Sequence, residues 1–162
     1  MEHVFWLIPG RLAGRPGPNR KPWNVSALRG MGIDAVLSLN DGEGCDPAAF
    51  AALDLDYLCV PLPPNEPPLA GDEEVCRASL PAAYDFVRAH HADHRAVLVH
   101  CSAGKDRTGL FMSYFLIREH GLDVDTAIAR VRAVRPPAIS ALGWDALARR
   151  VLAKLRESPS GS

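Results

Sequence analysis

Residues 100–109 read H-C-S-A-G-K-D-R-T-G, and no other stretch restricts the fold of this chain as strongly. The strand-like run Ala96-Val97-Leu98-Val99 leads in, and the apolar, helix-like residues 110–117 lead out. A strand, a tight loop containing glycine and then a helix start is the arrangement that aims backbone N–H groups at an anion. Cys101 and Arg107 stand in this loop at C-x5-R spacing. A thiol inside such a ring of donors gives up its proton readily. An arginine closing the ring can grip two oxygens of a phosphoryl group with its planar fork. Nucleophile and anion cradle in one loop point to phosphoryl transfer through cysteine. C-x5-R alone is a weak signal. Its weight here comes from His100, Gly104 and Thr108 around it, and from the flanking strand and helix.

The segment resembles the signature loop of the cysteine-dependent protein tyrosine phosphatase superfamily, H-C-x-x-G-x-x-R-[ST]. The chain's size and opening are similar to the compact dual-specificity branch found in bacteria and archaea. Trp6-Leu7-Ile8-Pro9-Gly10-Arg11-Leu12-Ala13-Gly14 resembles that branch's opening hairpin, and Val134-Arg135-Pro136 its V-R-P segment. The resemblance implies roles for the loop. Cys101 is the nucleophile that forms a cysteinyl-phosphate. Arg107 holds the equatorial oxygens, and Ser102, Ala103, Gly104 and Lys105 line the cradle. Thr108 helps the sulfur leave in the second step. His100 supports the loop geometry and favours the thiolate. Lys105 is similar to lysines in loops that handle inositol phosphates as well as phosphotyrosine.

Two departures from the family pattern stand out. The loop that usually carries an aspartate as general acid reads Val60-Pro61-Leu62-Pro63-Pro64-Asn65-Glu66-Pro67-Pro68 here, with Pro64 in the acid's slot. Asp106, Glu66 and Asp72 are the available substitutes, alongside a water-mediated route. Asp106 resembles the aspartate of K-D-R-T and W-D-R-T loops, whereas Asp72, before Glu73-Glu74, also fits a helix N-cap. The second departure is the lack of glutamine after the V-R-P segment, where relatives use one to position the hydrolytic water.

Composition sets the frame. At 162 residues the chain fits one domain with a sizeable core, expected over 1–157, with a disordered tail at 158–162. The net charge of −1 excludes any global attraction to nucleic acid or anionic membranes. No stretch has the length of a membrane span. The four cysteines fit no zinc template, and His90, His91 and His94 lack the partners of a metal site. No metal or cofactor is expected, and a reducing, cytoplasmic setting and a monomer are. Cys59, in an apolar strand, is expected in the core. Cys45 or Cys76 is a candidate disulfide partner for Cys101 under oxidation. Arg11, Arg15, Arg20 and Lys21 are candidates for a basic rim around a multiply phosphorylated substrate.

The order of elements is α/β: a single, mainly parallel central sheet flanked by helices. Strands are expected at 4–13, 35–39, 55–61 and 96–99. Helices are expected at 24–30 after the cap Asn24, from Pro47 after the cap Asp46, at 72–91 with a break at Pro81, and at 108–120, 123–134 and 142–155. The expected activity is hydrolysis of phosphoproteins or inositol phosphates. The alternative is a phosphate-binding module with little turnover.

Overall fold

The computed structural model describes residues 1–157, so the tail expected at 158–162 lies outside the described residues. Five strands form one sheet: β1 (Phe5–Ile8), β2 (Leu12–Pro16), β3 (Ile33–Ser38), β4 (Asp56–Cys59) and β5 (Ala96–Cys101). Their order is β1-β2-β5-β3-β4, and only the β1–β2 hairpin is antiparallel. β5 is therefore central. Val97, Leu98, Val99, His100 and Cys101 are all sealed from solvent, as expected for a strand covered on both faces.

Alternation along the strands divides the core in two. Leu12, Leu37, Val97 and Val99 face a large cluster completed by α3 (Asp72–Ala92), α4 (Asp106–His120), α5 (Val124–Val134) and α6 (Trp144–Glu157). Ala13, Val36 and Leu98 face a smaller cluster under α1 (Val25–Gly30) and α2 (Pro47–Ala52). The helix starts follow the local chemistry. Asn24, Asp46 and Asp123 each accept a backbone N–H of the first turn of α1, α2 and α5. Gly121, at φ 66°, caps the end of α4.

Three expectations are corrected. Pro81 does not break α3, which runs through it for 21 residues. The proline costs about 3 kcal/mol in a helix interior. Burial of Leu80, Ala83, Tyr84 and Val87 on the larger cluster offsets it at about 1.5–3 kcal/mol for each large side chain. Cys59 is exposed rather than core, because β4 is an edge strand. Strand β2 continues through Pro16, beyond the expected stop at Ala13. No helix among the described residues is long and apolar enough to cross a membrane.

Candidate active site

The loop between β5 and α4 stands at the C-terminal edge of the central strand, where open parallel sheets bind ligands. Leu39 N–H donates to the His100 carbonyl (2.9 Å) and Gly17 N–H to the Ser102 carbonyl (2.8 Å), so both neighbouring strands hold the loop's entry. Gly104 adopts φ 67°, and a Cβ there would stand 2.7 Å from the Arg15 carbonyl carbon. Glycine is thus required by backbone angle and by space. From the outside, Arg135 donates to the carbonyls of Ala103 (2.9 Å) and Gly104 (3.1 Å). Turning those carbonyls outward leaves the amides free to face the other way. Among the described residues, no hydrogen bond uses the backbone N–H groups of residues 102–107.

Cys101 is fully buried, and Thr108 Oγ1 donates to its sulfur at 3.1 Å. Behind it, His100 sits in a buried chain of hydrogen bonds. Tyr57 OH donates to Ser38 Oγ (2.8 Å), which lies 2.5 Å from His100 Nε2. Nδ1 lies 3.1 Å from the Cys101 carbonyl. A carbonyl only accepts, so the proton is on Nδ1 and Nε2 accepts from Ser38. Burial holds His100 well below its ordinary value of 6.5, at about 4. The ring is therefore neutral near pH 7, and its support to the loop is geometric, through hydrogen bonds rather than a full charge.

Arg107 is almost wholly buried. Its Nε donates to the Pro63 carbonyl (2.7 Å), and its guanidinium lies 4.8 Å from the centre of the Trp144 ring. Trp144 Nε1 donates in turn to the Asn65 carbonyl (2.8 Å). The proline-rich segment is thereby tied down beside the loop by its own carbonyls.

The three candidate acids occupy different settings. Asp106, the first residue of α4, is buried; its Oδ1 accepts from the N–H groups of Ser140 (2.9 Å) and Ala141 (3.1 Å). Its Oδ2 is buried with no hydrogen-bond partner among the described residues. Asp72 is buried and accepts from Leu69 N–H (2.7 Å) and Asn65 Nδ2 (2.9 Å), closing the proline-rich segment onto α3; the N-cap position itself is Gly71. Glu66 is exposed on that segment. Lys105 is half-buried, and its carbonyl accepts from Gly109 and Ile139 N–H.

The structure divides the expected basic rim. Arg11 donates to the His91 carbonyl and so leaves the basic rim, whereas Arg15 is buried and Arg20 and Lys21 are exposed. His90 pairs with Asp56, and His91 donates to the Arg11 carbonyl. Cys45 and Cys76 are free thiols. Burial pushes Cys76 up to about 12, which makes it a poor nucleophile. Arg135, Ser38, Tyr57 and Trp144 all support the loop without having been singled out as site residues. Only the V-R-P segment held a signal, and it gave no contact.

A fully buried cysteine at the foot of an amide-lined loop, between a central parallel strand and a helix, defines the cysteine-phosphatase class. The family model "Dual specificity phosphatase, catalytic domain" matches residues 23–144, and the chain belongs to that family. It is 32% identical over 130 residues to Tyrosine-protein phosphatase cdcA of Emericella nidulans, covering 78% of this chain and 20% of that protein. It is 33% identical over 112 residues to Dual specificity protein phosphatase 12 of Homo sapiens, covering 68% of this chain and 31% of that protein. The chain thus spans less than a third of the length of either relative. The crystal structure of Tk-PTP in the active form has the same fold, with a TM-score of 0.75 and 21% identity, covering 96% of this chain and 97% of that one.

Proposed function

We propose that this chain hydrolyses phosphate monoesters, of phosphoproteins or of inositol phosphates, through a cysteinyl-phosphate on Cys101. The observation that carries this reading is the set of unused N–H groups of residues 102–107 beside a sulfur that already receives the Thr108 hydroxyl. In the first step the Cys101 thiolate attacks phosphorus, an S–P bond forms, and the ester oxygen leaves with the P–O electron pair. The loop amides and Arg107 stabilise the charge on the equatorial oxygens. In the second step water attacks phosphorus, its proton passes to the Asp106 carboxylate left by the first step, and the S–P bond breaks, with Thr108 donating to the departing sulfur. Asp106 supplies the proton for the leaving group. Its unpartnered Oδ2 supports this role, and admission of a leaving group requires the 139–141 segment to yield. The test is hydrolysis of para-nitrophenyl phosphate by Cys101→Ser, expected at background, with circular dichroism unchanged. Activity within about tenfold of the parent protein would sink the cysteine mechanism.

A second reading is phosphate binding without useful turnover. It is favoured by Arg107, whose Nε is engaged by the Pro63 carbonyl, and by proline in the usual acid position. That reading expects the parent protein to bind phosphate but to hydrolyse no faster than Cys101→Ser.

A further inference from the structure

One buried arginine has no part in the catalytic loop. Arg15 pairs in register with His100, on the strand beside β5. Successive residues of β2 alternate between the faces of the sheet. Ala13 and Arg15 therefore both turn toward the α1–α2 layer, away from α4. Arg15 is only 1% exposed. Its guanidinium lies 5.1 Å from the centre of the Trp23 ring. Its Nε and Nη1 are buried with no hydrogen-bond partner, and no ion pair involves it, among the described residues. A buried guanidinium without an anion is costly, and a ring face compensates only part of that.

The side chain lines a cleft of about 380 Å³, together with Lys21, Trp23, Asn24 and the N-terminal residues. Lys21 brings a second positive charge to the same cleft. Glu2 brings the one carboxylate, but it is almost fully exposed and turned toward His3, 3.8 Å away. The cleft therefore combines net positive charge and an aromatic wall with a buried guanidinium whose Nε and Nη1 are unpaired. It differs from the catalytic loop in its donors and in the face of the sheet it occupies. The two remain close through the backbone, since the Arg15 carbonyl packs against Gly104.

We propose that Arg15, Lys21 and Trp23 form a second oxyanion site, distinct from the catalytic loop, which takes a phosphate-type group. The guanidinium supplies charge-assisted hydrogen bonds to the oxygens and Lys21 a point charge from the rim. The occupant is either free phosphate or a second phosphoryl group of a ligand already held in the loop. The site does not depend on turnover at Cys101.

The test is a phosphate titration of ¹⁵N-labelled Cys101→Ser protein at constant ionic strength, followed by amide chemical shifts. Two saturable groups are expected: residues 102–108, and residues 15 and 21–24 with the Trp23 indole N–H. Arg15→Met and Lys21→Ala should each weaken the second group by roughly tenfold or more, leaving the first group unchanged. Should Arg15→Met not fold, Arg15→Lys with exposed Lys21→Ala gives the same comparison. An inositol bisphosphate that moves both groups at one concentration identifies a second phosphoryl group of the same molecule as the occupant. Separate saturation identifies free phosphate. The proposal is overturned if the second group does not saturate, or persists in both variants. Failure of the first group alone would count against the catalytic reading and not against this one.

Discussion

The catalytic loop and the proline-rich segment at 60–71 lie side by side, and they are held in opposite ways. The loop is held from below and behind: neighbouring strands fix its entry, Arg135 takes the carbonyls of Ala103 and Gly104, and its amides stay unused. The proline-rich segment is held from the loop side. Its carbonyls at Pro63 and Asn65 accept from Arg107 and Trp144, and Asp72 closes its far end. The first region presents donors to a ligand; the second spends acceptors on the protein. In the proposed mechanism the anion sits in the first region, and the second is a wall beside it rather than the carrier of the acid. The mechanism proposed above accordingly assigns the proton donor to Asp106, inside the loop.

The largest expected effect bears on the loop. Arg107→Lys keeps a charge but loses the fork, the Pro63 hydrogen bond and the stacking on Trp144. It should lower kcat/KM for para-nitrophenyl phosphate by about 10³ or more, because transition-state charge on several oxygens needs more than a point charge. A loss below about tenfold would mean that the amides alone hold the phosphoryl group.

Asp106→Asn contrasts the two regions directly. General acid catalysis is worth about 10²–10⁴ for a poor leaving group and little for para-nitrophenol. The variant should lose activity within that range toward an alkyl phosphate and far less toward para-nitrophenyl phosphate. Glu66→Gln and Asp72→Asn should show no such leaving-group dependence. If either one does while Asp106→Asn does not, the proline-rich segment carries the acid after all.

The distance between sequence and structure follows the same division. The loop, its strand and helix, and the caps Asn24 and Asp46 were legible because each is a local pattern whose atoms meet within a few residues. The supports of the loop were not. Arg135, Trp144, Ser38 and Tyr57 reach it only through the packing of separate elements. Cys59 misled for a related reason: an apolar strand gives no sign of whether it lies at the centre or the edge of a sheet. Pro81 misled because the local cost of a proline is visible and the burial that offsets it is not. The vacant acid slot at Pro64 was legible, but the use of Pro63 and Asn65 as anchors was not.

The buried ring behind the loop gives a pH prediction. His100 is held neutral with its pKa lowered from 6.5 to about 4. Its contribution to stability is therefore complete above pH 6.5. It is lost as pH falls toward 4, because the unfolded chain takes up the proton first. The shift corresponds to about 3 kcal/mol. Urea unfolding at pH 7 and pH 4.5 should show this acid-dependent loss in the parent protein and a smaller one in His100→Gln. Equal losses in both would place the sensitivity elsewhere.

The smallest effect concerns the wall. Trp144→Phe retains a ring against Arg107 but removes the hydrogen bond to the Asn65 carbonyl. It should cost about 2 kcal/mol in urea unfolding, for the unpaired carbonyl and the space left by the smaller ring, and leave the leaving-group dependence of Asp106→Asn intact. A change in that dependence would show that the proline-rich segment takes part in the chemistry.

The nucleophile can be tested without any substitution. The parent protein is mixed with excess para-nitrophenyl phosphate, quenched in acid during turnover, and its peptides are weighed by mass spectrometry. The expected result is one added phosphoryl group on the peptide containing Cys101, lost when the reaction runs to completion. A phosphoryl group on another residue, or steady turnover with no labelled Cys101 at any quench time, would contradict the cysteinyl-phosphate mechanism.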